Sequence, residues 1–206
     1  MDKRTGLFTQ LQFTGRDYLQ HPMELNIWRA PTDNDMYLKE EWKKAHYDEA
    51  YTRAYQIEVL QNKYGVQIME HVAVVAATVQ KILDVEITWK IDGNGKIAAI
   101  ISVTKDEEFP DLPRFGIRLF LDKKLGDVCY FGMGPQESYR DKHQASSHGC
   151  YRSKVGQMHE DYIRPQENGS HYDCDYVEVS NAQFGITAVS PVSYTHLDVY
   201  KRQPLD

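Results

Sequence analysis

Leu83-Asp84-Val85-Glu86-Ile87-Thr88-Trp89-Lys90-Ile91 alternates apolar and polar side chains without a break. Successive side chains of an extended chain point to opposite faces, so this stretch predicts a β-strand with one buried and one wet face. It runs into Asp92-Gly93-Asn94-Gly95, turn chemistry that supplies positive φ, and residues 97–103 return as the second strand of a hairpin. Upstream, residues 66–78 read as a further strand, more apolar and so more buried. Residues 7–13 and 18–19 read as short strands closing on Gly15. Residues 114–121 alternate weakly after Pro110 and Pro113, and residues 175–179 and 184–189 form a late hairpin around Ser180-Asn181. One helix is expected within residues 39–55, capped by Asp35, with Tyr37, Leu38, Trp42, Ala45 and His46 near one face. Residues 131–171 carry Gly, His, Tyr and charged groups with little periodicity and read as mostly loop, the kind of long segment that serves function or packing. The expected architecture is all-β: a large antiparallel β-sandwich with one short helical insertion.

The chain has 206 residues, the length of one domain or one large all-β domain. Apolar residues make up 41% and charged residues 26%, ordinary globular usage that fits neither disorder nor a membrane protein. Mean hydropathy is −0.60, and no apolar run approaches the ~18 residues of a spanning helix. The net charge of −6 and the lack of a basic stripe argue against nucleic acid as a partner, since phosphate neutralisation needs clustered Lys and Arg. Cys129, Cys150 and Cys174 are odd in number, widely spaced and without a C-x-x-C pair, which argues against a disulfide scaffold and against a zinc site, with one bridge left open. Fourteen Tyr, seven Phe and three Trp hint at sugars or protein interfaces, because rings stack on both.

Three segments concentrate chemistry. Trp28-Arg29-Ala30-Pro31-Thr32-Asp33-Asn34-Asp35 could hold a sugar or a hard cation through its oxygens and ring. It could equally be a turn at Pro31, caps from residues 33–35 and an Arg29–Asp33 pair. Residues 131–141 contain a G-x-G followed at once by Pro135, which removes an amide that would face phosphate and excludes a dinucleotide fingerprint. Glu137 with Tyr139 could serve acid/base work, although a glycosidase needs two carboxylates across one cleft. Pro165-Gln166-Glu167-Asn168-Gly169 reads as a tight turn with Asn168 and Gly169 in left-handed conformations. His143, His148, His159 and His171 lack metal-ligand spacing, and no G-x-S-x-G elbow surrounds any serine.

Taken in order, residues 28–35, Gly132-x-Gly134-Pro135-Gln136-Glu137-x-Tyr139 and residues 165–169 closely resemble the carboxy-terminal (fifth, small-chain) domain of bacterial β-galactosidases of glycoside hydrolase family 2. Residues 41–47 resemble the family's helix after Asp-Asn-Asp, and Ile91-Asp92-Gly93-Asn94-Gly95 its Ile-Asp-Gly-x-Gly turn. The resemblance covers residues 4 to about 191. It implies a galactose-mutarotase-like β-supersandwich, incomplete at its carboxy-terminal end, with residues 1–191 as the domain and residues 192–206 as a non-native or divergent tail. It implies a parent enzyme that hydrolyses terminal β-D-galactosides with retention, through two glutamates on a TIM barrel absent from this chain. The domain itself would be non-catalytic, forming active-site wall and assembly surface in a homo-oligomer. Trp28, Arg29, Asp33, Asn34, Asp35, Glu137, Tyr139, Glu167 and Asn168 are the expected wall residues. Main-chain carbonyls of Arg164 and Pro165 would form part of a sodium site, and Mg2+ and Na+ are implied for the parent. A cytoplasmic location is expected, with the amino terminus read as truncated. The rival readings are a free-standing mutarotase-like sugar enzyme, needing His and a carboxylate converging in a groove, and a carbohydrate-binding module, needing a row of exposed rings.

Overall fold

A computed structural model describes residues 1–164 and 166–190 and the backbone of residues 197–198. The fold is all-β, built from antiparallel pairs, with one short α-helix. Contacts divide the chain into two compact units, Met1–Leu121 and Asp122–Asp206. Among the described residues no helix is long and apolar enough to cross a membrane.

In the first unit, β1 (Gln12–Phe13) and β2 (Arg16–Asp17) make a small hairpin, and β3 (Leu19–Asn26) follows. Helix α1 (Leu38–Lys44) leads to β4 (Tyr51–Asn62), β5 (Gly65–Val75), β6 (Leu83–Asp92) and β7 (Ile97–Lys105), one meander in sequential order. Strand β8 (Gly116–Leu121) pairs with β3. The β6–β7 hairpin is the expected one: Asp92 Oδ1 accepts the N–H groups of Asn94 (2.9 Å) and Lys96 (3.0 Å), and Gly95 takes φ +85°. Leu83, Val85, Ile87 and Trp89 are buried to 2% exposure or less while Glu86 and Lys90 stay wet. Each such aliphatic side chain contributes about 1.5–3 kcal/mol by leaving water. Leu19, Met23 and Leu25 of β3 enter the same apolar cluster as Ile68, Val72 and Val74 of β5, so the two sheets of this unit face each other as a sandwich.

Two expectations fail here. The helix does not run through residues 39–55. Ala45 caps it, His46 turns left-handed at φ +58°, and the chain is extended from Tyr51. Tyr51-Thr52-Arg53-Ala54-Tyr55 is rich in β-branched and aromatic residues, and pairing with β5 decides its state. Tyr37 and Leu38 are accordingly exposed, while Trp42 and Ala45 alone of the expected face go inside with Tyr47. Trp42 Nε1 donates to Asp111 O (2.9 Å) and Tyr47 Oη to Pro110 O (2.6 Å), pinning the helix. Residues 7–11 bury Leu7 and Phe8 without strand pairing, and the second short strand extends to Asn26 despite Pro22, through irregular register with β8.

In the second unit, β9 (Asp127–Gly134), β10 (Ser147–Lys154), β12 (Tyr176–Ser180) and β13 (Gly185–Val189) form a sheet ordered β10-β9-β12-β13; β11 (Ser170–His171) pairs with β14 (Leu197–Asp198). The late hairpin is as expected. Residues 131–171 are mostly loop, as expected, but they also contain the end of β9, all of β10 and β11. Strand β10 (Ser-His-Gly-Cys-Tyr-Arg-Ser-Lys) has no apolar alternation to betray it, because Tyr151 is its one large inward side chain. The core is small: Val128, Tyr130, Met158 and Cys174. Gly132 is required there, since a Cβ would stand 2.4 Å from Cys174 Sγ.

Candidate functional site

Two clusters, one in each unit, hold the residues singled out by sequence. In the first, Pro31 and Thr32 lead into a 3-10 turn, Asp33–Asp35. Asp35 does not cap α1, whose N-cap is Tyr37 without a side-chain bond. Its carboxylate reaches backward instead. Oδ2 accepts Thr32 N–H (2.8 Å) and Thr32 Oγ1–H (2.9 Å), and both oxygens take Arg29 Nη2 at 2.9 Å. The pairing of Arg29 therefore falls on Asp35. Asp35 is buried and Arg29 half-buried, with the guanidinium 5.9 Å from the Trp42 ring centroid. Trp28 crosses Trp42 edge-to-face at 6.4 Å. Asp33 and Asn34 sit at the surface of the turn. Thr32 orients the carboxylate, three positions ahead of it in the T-x-x-D spacing of a capping box.

In the second cluster Glu137 is the centre, with its side chain only 4% exposed. Oε1 accepts Lys142 Nζ (2.5 Å) and the Tyr162 hydroxyl, and Oε2 accepts Gly169 N–H (2.9 Å). Lys142 Nζ also donates to Tyr162 Oη at 2.6 Å. Burial pushes the Glu137 carboxyl up, but the donors from Lys142, Tyr162 and Gly169 prevail and hold it below the usual carboxylate range. The same contact with Glu137 raises Lys142 above the ordinary lysine range. Gly169 adopts the left-handed conformation that aims its N–H inward; Asn168 does not share it. Asn168 Oδ1 instead accepts Glu160 N–H at 3.3 Å, and Glu167 is buried. Tyr139 is half-buried and its backbone pairs with that of Lys142, closing the turn that carries the lysine back to Glu137. Ser138 completes the frame: its N–H donates to Ser170 O (2.7 Å) and its Oγ accepts Tyr172 N–H (2.8 Å). Arg164 lies exposed on a bend, and Pro165 falls outside the described residues.

An open cleft of about 630 Å³ adjoins this cluster, lined among others by Glu137, Asp141, Lys142, His143, Glu160 and Tyr162. Neither Lys142 nor Tyr162 is marked by a sequence motif. Lys142 lies only five positions after Glu137, a hint of sorts, but Tyr162 is brought in from 25 positions away and no local pattern announces it. The geometry makes Glu137 structural, because an ionised carboxylate whose oxygens are all engaged is a poor general acid and a poor nucleophile.

The three ordered motifs thus mark two knots of hydrogen bonding. Residues 1–203 match the family described as beta galactosidase small chain. The chain belongs to the β-galactosidase small chain family. It is 42% identical over 205 residues to the β-galactosidase of Actinobacillus pleuropneumoniae, covering 100% of this chain and 20% of that protein. It is 37% identical over 156 residues to that of Staphylococcus xylosus (76% of this chain, 16% of that protein). It is 32% identical over 186 residues to that of Lactobacillus delbrueckii subsp. bulgaricus (89% and 18%). The chain therefore spans only about a fifth or less of the curated relatives it matches.

Proposed function

We propose that this small-chain domain works as a non-catalytic part of a β-galactosidase that hydrolyses terminal β-D-galactosides. Its two knots would stiffen a wall of the active-site cleft and support assembly of the parent into a homo-oligomer. The observation that carries the reading is the family match over nearly the whole chain, joined to a Glu137 too saturated for acid/base work. Retaining hydrolysis needs two carboxyl groups about 5–5.5 Å apart with one able to hold a proton, and those would come from a catalytic barrel elsewhere in the parent. A free-standing mutarotase-like enzyme would need a His and a carboxylate converging in a groove; the cleft does bring His143 near Asp141 and Glu160, but His143 Nδ1 is engaged with Tyr139 O at 3.1 Å and Glu137 is saturated, which favours the non-catalytic reading. Among the described residues, no group of three or more His, Cys, Asp or Glu is placed to hold a metal. The Arg164 carbonyl is an oxygen donor of the class that hard cations prefer, and of the expected pair it alone lies among the described residues.

The test is hydrolysis of a chromogenic β-galactoside by the purified chain. No turnover is expected, and turnover abolished by Glu137→Gln would refute the non-catalytic assignment. In a full-length relative the corresponding glutamate change should weaken substrate binding while activity persists.

A further inference from the structure

Cys129 and Cys150 stand 21 positions apart in sequence, yet adjacent strands β9 and β10 bring their sulfurs to 4.0 Å. Both carry free thiols; Cys150 is exposed and Cys129 partly so. They occupy the face of the sheet opposite to buried Val128 and Tyr130. Tyr176, from β12 on the other side of β9, places its hydroxyl 3.6 Å from Cys150 Sγ. Three neighbouring strands thus converge three polarisable or polar groups on one surface point.

We propose that Cys129 and Cys150 form a two-thiolate site for one soft divalent cation, with the Tyr176 hydroxyl holding the Cys150 sulfur in place. Register decides against the obvious rival, a disulfide. Cys129 lies opposite Arg152 and Cys150 opposite Phe131, so the cysteines are diagonal neighbours. Diagonal positions sit about 7–8 Å apart, beyond the separation a disulfide bridges without backbone movement. An inserted ion has no such difficulty. Sulfurs 4.0 Å apart, each about 2.3 Å from a shared metal, subtend roughly 120° at it, within reach of trigonal or distorted tetrahedral coordination. Thiolates select soft and borderline ions over the hard cations that carbonyl and carboxylate oxygens prefer. Around the site, Arg152 and Glu178 flank Cys129 from β10 and β12, and the Glu178 carboxylate adds negative charge that attracts the incoming ion. Binding breaks two S–H bonds, forms two metal–sulfur bonds and releases two protons to solvent, with no change of oxidation state.

The experiment is titration of the reduced 206-residue chain with Cd2+, followed by the ultraviolet thiolate-to-metal charge-transfer band, with Zn2+ as competitor. One Cd2+ per chain is expected, held against equimolar Zn2+ and displaced only by Zn2+ in large excess. The Cys129→Ser/Cys150→Ser double variant, which keeps Cys174, should lose the band. Tyr176→Phe should retain the stoichiometry and bind about 10–100-fold more weakly, the usual effect of removing a group that orients a ligand. No band in the native chain, or a band that survives in the double variant, overturns the site. Unchanged affinity in Tyr176→Phe overturns the role of the tyrosine.

Discussion

Replacing Arg29 by alanine isolates the knot in the first unit. Arg29 Nη2 donates to both Asp35 oxygens, and Oδ2 keeps two bonds from Thr32 after the change. A hydrogen bond to a charged group is worth about 1.5–3 kcal/mol, and removing one partner of a fully buried pair costs about 3–5 kcal/mol. The Arg29 side chain is 20% exposed and Thr32 still serves Asp35, so the cost falls below the fully buried span, at about 2–3 kcal/mol. Loss of the guanidinium over Trp42 adds roughly 0.5 kcal/mol. The expected destabilisation is about 3 kcal/mol, with Arg29→Lys intermediate because an ammonium lacks the planar fork. All three tryptophans lie within Met1–Leu121, so urea unfolding followed by indole fluorescence reads this unit alone. The midpoint should fall at constant m. A double-mutant cycle with Asp35→Ala should give a coupling energy above about 1 kcal/mol. A loss under about 0.5 kcal/mol for Arg29→Ala, or additivity in the cycle, would show that the pair does not hold the turn.

Glu137 and Glu70 should respond to pH in opposite senses. The folded-state pKa of Glu137 is lowered, so its contribution is present above the unfolded carboxylate pKa and lost as pH falls through the folded value. Glu137→Gln should therefore flatten the acid limb of stability for the second unit, measured by near-ultraviolet circular dichroism, and an acid limb of unchanged slope refutes this. Glu70 is buried in the first unit, and neither carboxyl oxygen has a hydrogen-bond partner among the described residues. Burial pushes it up to about 7, a shift moderated by the neighbouring Trp89 indole. Its contribution is thus complete below the unfolded pKa and is lost as pH rises through about 7. Glu70→Gln should raise stability at pH 8 relative to pH 5 by roughly 2–3 kcal/mol; a variant with the parent's pH profile would place that titration elsewhere.

The legible parts of this fold are those where one face of a strand is strongly apolar. β6, its Asp92-anchored turn and the late hairpin can be read from residues because burial and turn chemistry agree there. β10 is hidden, since its inward face carries two serines, a glycine and Tyr151, and its extended state comes from β9 beside it. The start of β4 reads as helix because it follows a true helical turn without a glycine or proline to stop it; His46 does that work in a left-handed conformation. The site divides likewise. Arg29, Asp35, Glu137 and residues 165–169 stand out by residue type and Thr32 by its local spacing to Asp35, while Lys142 and Tyr162 are ordinary residues given meaning only by where the chain returns.

The attachment of three chain segments to one carboxylate also has a kinetic meaning. The turn carrying Lys142, the segment with Tyr162 and the glycine at position 169 each end on Glu137, and Ser138 beside it grips Ser170 and Tyr172. None of these segments can swing away without stripping the buried carboxylate of a donor. The rim of the cleft is therefore poised to open as one cooperative piece or not at all, so amide exchange at Ser138, Gly169 and Tyr172 is governed by a single opening event.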